Sequence, residues 1–197
     1  MPRVFTALLD TCVLWPSLQR DFLLSLAVEG LYRPVWSSAI LKELEFHEAH
    51  KLFGAGVESG EADRRASRLV TMMRSAFDDA EVTGWEPLAG SYGLIDPDDE
   101  HVVAAAVVAG AGALVTSNLK HFPVDKVPAA VAVIAPAPFA LDTVSIAPAR
   151  AMAAVEAIAA RSGSAGRPHR SVEDILDHLE HVYKMTAAIH IMRGERR

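Results

Sequence analysis

At 197 residues the chain can build one well-buried core with a small appendage, and 51% hydrophobic against 22% charged residues, with a mean hydropathy of +0.19, excludes a disordered chain. Its longest apolar runs are alanine-rich, broken by glycine or proline, and shorter than the roughly 20 residues of a membrane span, so no transmembrane segment and no membrane partner is expected. A net charge of -6 weighs against nucleic-acid binding through a basic surface, but not against a metal-dependent nuclease, whose acidic centre holds the cations that meet the phosphate.

In chain order, residues 4–9 are a run of small and branched apolar side chains that predicts a central strand, closed by Asp10, Thr11 and Cys12. A carboxylate there either faces the crevice at the strand end or only caps the helix that follows. The opening stretch MPRVFTALLD has an apolar run too short for a signal-peptide core. The single cysteine, Cys12, rules out an internal disulfide. Both suit the cytoplasm. With no basic neighbour to favour a thiolate, Cys12 reads as a small core residue. Pro16 and Ser17 lead into a helix over residues 18–28, which Gly30 stops.

Residues 31–36 predict a second strand, and Ser37 or Ser38 can cap the helix SSAILKELEFHEAH. On a helical wheel Ile40, Leu44 and His47 share a stripe with Glu43 on its shoulder, while Glu45 and Glu48 lie on the far side. Glu43 is therefore the glutamate expected at the core edge. Glu43, His47 and His50 also stand at i, i+4 and i+7, which could hold a metal; zinc proteases, however, place two histidines four apart, and these are three apart. After a loop over residues 54–60, residues 61–79 predict a long helix with Leu69, Val70, Met73 and Phe77 inward. Arg64, Arg65, Arg68 and Arg74 make the densest basic surface of the first half. It serves either for phosphate contacts in RNA binding or as a solvated face balanced by neighbouring acids.

Residues 80–83 can form a short strand, and then comes the richest stretch, LIDPDDEHVVAAAVVAGAGALVTSNLKHFP. Asp96 can cap a helix, Pro97 suits its first position, and Asp98, Asp99 and Glu100 put negative charge at the positive end of the macrodipole. From Val102 to Val108 every face carries alanine or valine, so the helix should be buried all round until Gly110 and Gly112 end it. Residues 113–115 read as a buried strand running into Thr116, Ser117 and Asn118, at the carboxyl end where ligands collect in an open parallel sheet. Residues 131–134 supply one more strand, and Pro136 with Pro138 ends the alternation. Strand and helix in turn predict an α/β fold with a mostly parallel sheet covered on both faces.

Beyond it, residues 149–160 form an alanine-rich helix begun by Pro148, and RSGSAGRPHR over residues 161–170 is a flexible basic linker. Ser171 with Asp174 resembles a capping box. It opens an amphipathic helix whose stripe of Val172, Ile175, Leu176, Leu179, Val182 and Tyr183 continues to Ile191. His178 and His181 fall on its exposed flank, and Glu195–Arg197 reads as a frayed tail. The division expected is a domain over residues 1–140 and a helical extension over 141–197.

Asp10, Glu43 and the Asp98–Asp99 pair lie far apart in sequence, yet the parallel-sheet reading draws them toward one crevice. Like charges there repel, and a divalent cation with oxygen ligands, Mg2+ or Mn2+, is the simple remedy. LLDTCVL around Asp10, WSSAILKELE around Glu43 and DPDDEHVVAAAVVAGAGALVTSNLKHFP together resemble the PIN-domain endoribonucleases, and within them the VapC-type toxins of bacterial toxin–antitoxin pairs. The resemblance implies a three-layer α/β/α sandwich in which Asp10, Glu43 and Asp99 match the metal-binding and catalytic acids, with Thr11 and Asn118 as polar neighbours. It also implies an RNA substrate, a cognate antitoxin, a homodimer, and a C-terminal extension like that of one longer subgroup.

Two departures stand out. Many members carry a fourth aspartate where this chain has Asn118, and Asp98 makes the third acid ambiguous by one residue, with Asp99 preferred for its spacing to Gly110. Rival readings fit less well. A haloacid-dehalogenase-type phosphatase needs an aspartate where Cys12 stands, and a receiver domain needs an acid pair beside Asp10 and a lysine at the position from which Lys120 is displaced. A housekeeping RNA-processing nuclease and a catalytically silent magnesium-binding module remain as alternatives.

Overall fold

The computed structural model describes residues 4–163 and 168–194. Part of the basic linker, Arg167 included, and the Glu195–Arg197 tail lie outside the described residues. The elements are β1 (Thr6–Leu9), α1 (Thr11–Leu14), α2 (Ser17–Val28), β2 (Arg33–Ser37), α3 (Ser38–Gly54), α4 (Ser59–Ala76), β3 (Glu81–Val82), α5 (Glu100–Val108), β4 (Ala113–Val115) and β5 (Ala132–Ile134). After these come α6 (Pro136–Ile146), α7 (Pro148–Arg161), α8 (Val172–His181) and α9 (Thr186–Gly194).

Among the described residues the strands form one sheet in the order β3-β2-β1-β4-β5. β1 runs parallel to β4, with Ala7, Leu8 and Leu9 opposite Ala113, Leu114 and Val115, and β2 runs parallel to β3. All six of those β1 and β4 residues are buried, as near-continuous apolar runs at the centre of a parallel sheet should be. The expected α/β/α class with a mostly parallel sheet and C-terminal helices is what the structure has. In this order the chain leaves β1 toward β2 on one side and returns to β4 on the other, so the β1/β4 seam is the topological switch point.

The chain divides into two compact units, neither continuous in sequence. One holds residues 6–15 and 34–133, and with them all but the end residues of the sheet. In it, Ser37 caps α3 by accepting from the Ile40 amide at 3.1 Å, and α3 packs along α4. Trp36, wholly buried, meets Phe77 edge-on at 5.8 Å between ring centroids. α5 packs on β1 and β4. It is buried through Ala106, but Val108 is 41% exposed, so burial on every face stops short of the last turn. Gly110, at φ 60°, adopts the left-handed conformation that closes the helix.

The other unit holds the described residues among 4–5, 16–33 and 134–194. Tyr32 packs edge-on against Phe139, 4.9 Å between centroids, and its hydroxyl donates to the Leu23 carbonyl at 3.0 Å. Pro136 and Pro138 end the strand–helix alternation as expected, and they sit in the first turn of α6, where a missing amide donor costs nothing. One expectation is corrected. The long amphipathic helix from Ser171 is two helices, broken where Lys184 turns left-handed at φ 59°. The break lets Ile175, Leu176 and Leu179 of α8 and Ile189 and Met192 of α9 all reach buried positions. The capping box of Ser171 and Asp174 is formed. Arg193 of α9 donates to Glu173 and Asp177 and pairs with Glu180, all on α8. No single helix among the described residues is long and apolar enough to cross a membrane.

Candidate active site

β1 delivers Asp10 to the switch point, where its amide donates to the Val115 carbonyl at 3.1 Å, tying the ends of β1 and β4 together. The residue is 6% exposed. It stands at the N-cap of α1 yet makes no side-chain capping bond, so the capping reading fails. Instead its Oδ2 accepts from the Thr116 hydroxyl at 2.7 Å and the Cys12 thiol at 2.9 Å. Cys12 is thus a half-buried donor to Asp10, not merely a small core residue. Burial, then the Asp10 charge and the hydrogen bond to it, push the thiol up to about 11, so it keeps its proton at neutral pH. The Asn118 amide donates to the Thr116 hydroxyl oxygen at 3.0 Å, and the Ser117 amide to Cys12 Sγ at 3.2 Å. The polar run after β4 thereby braces Asp10.

α3 carries Glu43 to the same region. Its Oε2 accepts from the Thr11 hydroxyl at 2.6 Å and its Oε1 lies 2.9 Å from His101 Nε2. Burial raises the Glu43 carboxyl, but the hydrogen bonds from His101 and Thr11 and the charges of His101 and His47 outweigh it and hold it below its ordinary value. His101 has a side chain 12% exposed, and its Nδ1 is buried with no partner among the described residues. Its ring lies beside Trp85, 5.8 Å between centroids. The wheel placed His47 on the inner stripe, but it is exposed, because Leu41 takes the inward position beside Ile40 and Leu44. Among the described residues His47 and His50 join no metal-sized group.

The third group comes from the turn before α5. Residues Pro97–Asp99 form a 3₁₀ turn that Asp96 caps by accepting from the Asp98 amide at 3.0 Å, so the α-helix begins only at Glu100. In the tighter turn Asp98 points to solvent and Asp99 turns inward, half-buried, with His121 Nδ1 2.6 Å from its Oδ2. Burial raises Asp99, the charges of Asp10 and Asp96 add to it, and the hydrogen bond and charge of His121 only partly oppose them. One ligand atom each from Asp96, Asp99 and His121 lies within 4.8 Å of the others, a set of two carboxylates and an imidazole compatible with a divalent cation. Glu100, expected as negative charge at the helix N-terminus, stands in the first turn of α5 and is buried. Its carboxylate accepts amides from Gly90, Tyr92 and Leu94 at 3.1, 2.9 and 2.8 Å, and thereby shapes the loop that leads into the acids.

Asp10, Thr11, Glu43 and Asp99 therefore gather at the carboxyl ends of the strands, whereas Asp98 and the side chain of Asn118 are exposed. Arg64 and Arg65 both donate to Glu61 and Arg74 to Glu81, so most of the basic surface is balanced by acids, with Arg68 exposed beside it. Sequence reasoning took Asp96 for a cap alone and passed over His101 and His121, while Thr116, read as part of the polar strand end, is the donor to Asp10. The signal for His101 and His121 was their place in the same acidic stretch, two residues after Asp99 and just past Asn118.

The family model of the PIN domain matches residues 6–120 of this chain. No curated protein and no solved structure gives a match.

Proposed function

We propose, because the chain belongs to the PIN-domain family, that it is a metal-dependent endoribonuclease that cleaves RNA phosphodiester bonds and serves as the toxin of a toxin–antitoxin pair. The observation that carries the nuclease reading is geometric: one ligand atom each of Asp99, Asp96 and His121 lies within 4.8 Å of the others, with the charge of Asp10 acting on Asp99 from beside them. Carboxylates that repel one another across a strand-end crevice are relieved by a cation.

Asp10, Asp99 and Asp96 are the residues that would hold it. When bound, Mg2+ or Mn2+ lowers the pKa of a water and neutralises charge on the phosphodiester. Thr116 and Cys12 both donate to Oδ2 of Asp10, which fixes the direction of the other oxygen. Glu43 has Thr11 on one oxygen and His101 on the other and stays ionised, so it suits orienting the attacking water better than acting as a leading ligand. His121 fixes the rotamer of Asp99. The thiol of Cys12 keeps its proton and takes no part as a nucleophile.

The test is cleavage of 5′-labelled RNA. Purified protein cuts it in Mg2+ or Mn2+, stops in EDTA, and loses activity as Asp10→Asn or Asp99→Asn with the circular-dichroism spectrum unchanged. Full activity in both variants sinks the assignment. The toxin reading adds a small antitoxin that covers the acids with a basic side chain, a homodimer, RNA contacts through Arg64, Arg65 and Arg68, and a cytoplasmic setting. It predicts growth arrest on expression, relieved by co-expressing the product of an adjacent small reading frame. Active nuclease without arrest favours a housekeeping RNA-processing enzyme.

A further inference from the structure

We propose that the exposed aromatic shelf on α3, continued by Trp15 at the end of α1, is the stacking surface on which unpaired RNA bases lie as the strand enters the acidic site. The proposal rests on the nuclease reading above and adds where, and in what form, the substrate is held. Trp15 is 43%, Phe46 67% and Phe53 59% exposed, in a protein whose core buries side chains as large as Trp36 and Phe22. Phe46 and Trp15 are linked through His47, while Phe53 lines the adjoining cleft. Phe46 stacks on His50, with planes 14° apart and centroids 6.3 Å apart, and meets His47 edge-on at 5.5 Å. His47 in turn meets Trp15 edge-on at 6.3 Å, and the Lys51 ammonium stands 6.0 Å over the Trp15 ring. Beside them a cleft of ≈ 230 Å³ is lined by Phe46, Ala49, His50, Phe53, Ala62 and Asp63, among others. That is below the roughly 300–1,000 Å³ of sites for drug-sized ligands and suits a single ring.

The kind of occupant follows from the chemistry and the position. The exposed groups are rings interleaved with imidazoles and with Lys51, which pairs with Glu48, a combination of π-faces and polar groups on which single strands stack. Continuity with the acids decides the rest. The shelf starts within one turn of Glu43 on the same helix, and from Glu43 to His50 the axis advances only about 10 Å. Trp15 follows α1, which begins immediately after Asp10. A strand lying on the rings therefore runs directly to the carboxylates. A duplex keeps its bases stacked inside and offers the shelf nothing.

The experiment uses the full chain in Ca2+ buffer and a fluorescein-labelled 12-nucleotide RNA, either single-stranded or annealed to its complement, with affinity read by anisotropy. Phe46→Ala should weaken single-strand binding between about 5- and 100-fold, leave duplex binding unchanged, and be restored by Phe46→Trp; the single strand should quench tryptophan fluorescence in the wild type but not in Trp15→Phe, which keeps Trp36 and Trp85. Equal loss on both RNAs, or none on either, overturns the shelf. Intact RNA binding with a shift in oligomeric state on size exclusion also overturns it and assigns the face to a second copy. If the Phe46→Ala difference holds while the wild type cleaves no RNA in Mg2+, the shelf stands and the nuclease reading falls.

Discussion

Asp99 and Glu43 are both half-buried carboxylates in the same crevice, yet their protons answer to opposite terms. Asp99 is raised by burial and by the charges of Asp10 and Asp96, so its ionisation costs more in the folded protein than in the unfolded chain. Its contribution favours the fold below its unfolded value and is lost as pH rises through the folded one. Glu43 is lowered by His101 and Thr11 against its burial, so its contribution is present above the unfolded value and lost as pH falls through the folded one. Asp99→Asn should therefore raise the Tm of metal-free protein at pH 7, and added Mn2+ should stabilise the wild type but not the variant; a lower Tm for the variant would show that the repulsion is relieved without metal. Thr116→Val removes the 2.7 Å donor to Asp10. Loss of such an outer partner costs about 10–100-fold in metal affinity or activity, checked by Mn2+ titration calorimetry beside the cleavage assay.

At the scale of elements, the loop from Gly90 to Leu94 is held not by its own ladder but by one side chain, Glu100 at the head of α5. Its carboxylate accepts three amides, and those bonds, against the cost of burial, lower its pKa. Glu100→Ala leaves these amides unpaired, and at about 1.5–3 kcal/mol for a hydrogen bond to a charged group the midpoint of urea unfolding should fall clearly. Cleavage should fall with it, because the Asp96–Asp99 turn hangs from the same loop. Retained activity with lost stability would separate the loop from the site. At α8, Ser171→Ala removes a formed capping box and should cost about 1 kcal/mol, visible in the same unfolding curve.

For the whole molecule, the unit that carries α8 and α9 depends on their packing with α6 and α7. Ile175, Leu176, Leu179 and Ile189 are wholly buried. Each truncation to alanine costs about 2–5 kcal/mol, so losing all four at once is comparable to or larger than a typical domain stability of about 5–15 kcal/mol. Deleting residues 161–197 should therefore leave a chain that binds a hydrophobic dye and loses near-ultraviolet dichroism. A truncated protein with native near-ultraviolet signal and an unchanged Tm would show that α2, α6 and α7 suffice. Unlike Asp10→Asn, this deletion acts through packing, and cleavage lost with it should be accompanied by lost structure.

The sequence alone carried the strand positions, the α/β alternation and the acids, because apolar periodicity and carboxylates at strand ends are local signals. Asp10, Glu43 and the Asp98–Asp99 pair were legible from strand end, wheel and turn without any coordinate. Local patterns failed where a residue's neighbours come from elsewhere in the chain. Glu100 read only as charge for the helix dipole but also anchors the 90–94 loop, and the α8–α9 stripe read as continuous but breaks at Lys184. Only the tertiary structure could separate Asp99 from Asp98, since both suit the turn and only the 3₁₀ winding turns one of them toward His121. Likewise the pairing of His101 with Glu43 spans 58 residues and that of Thr116 with Asp10 spans 106. Such contacts are set by the packing of α3 and α5 and by the β1/β4 register, which no local pattern of side chains encodes.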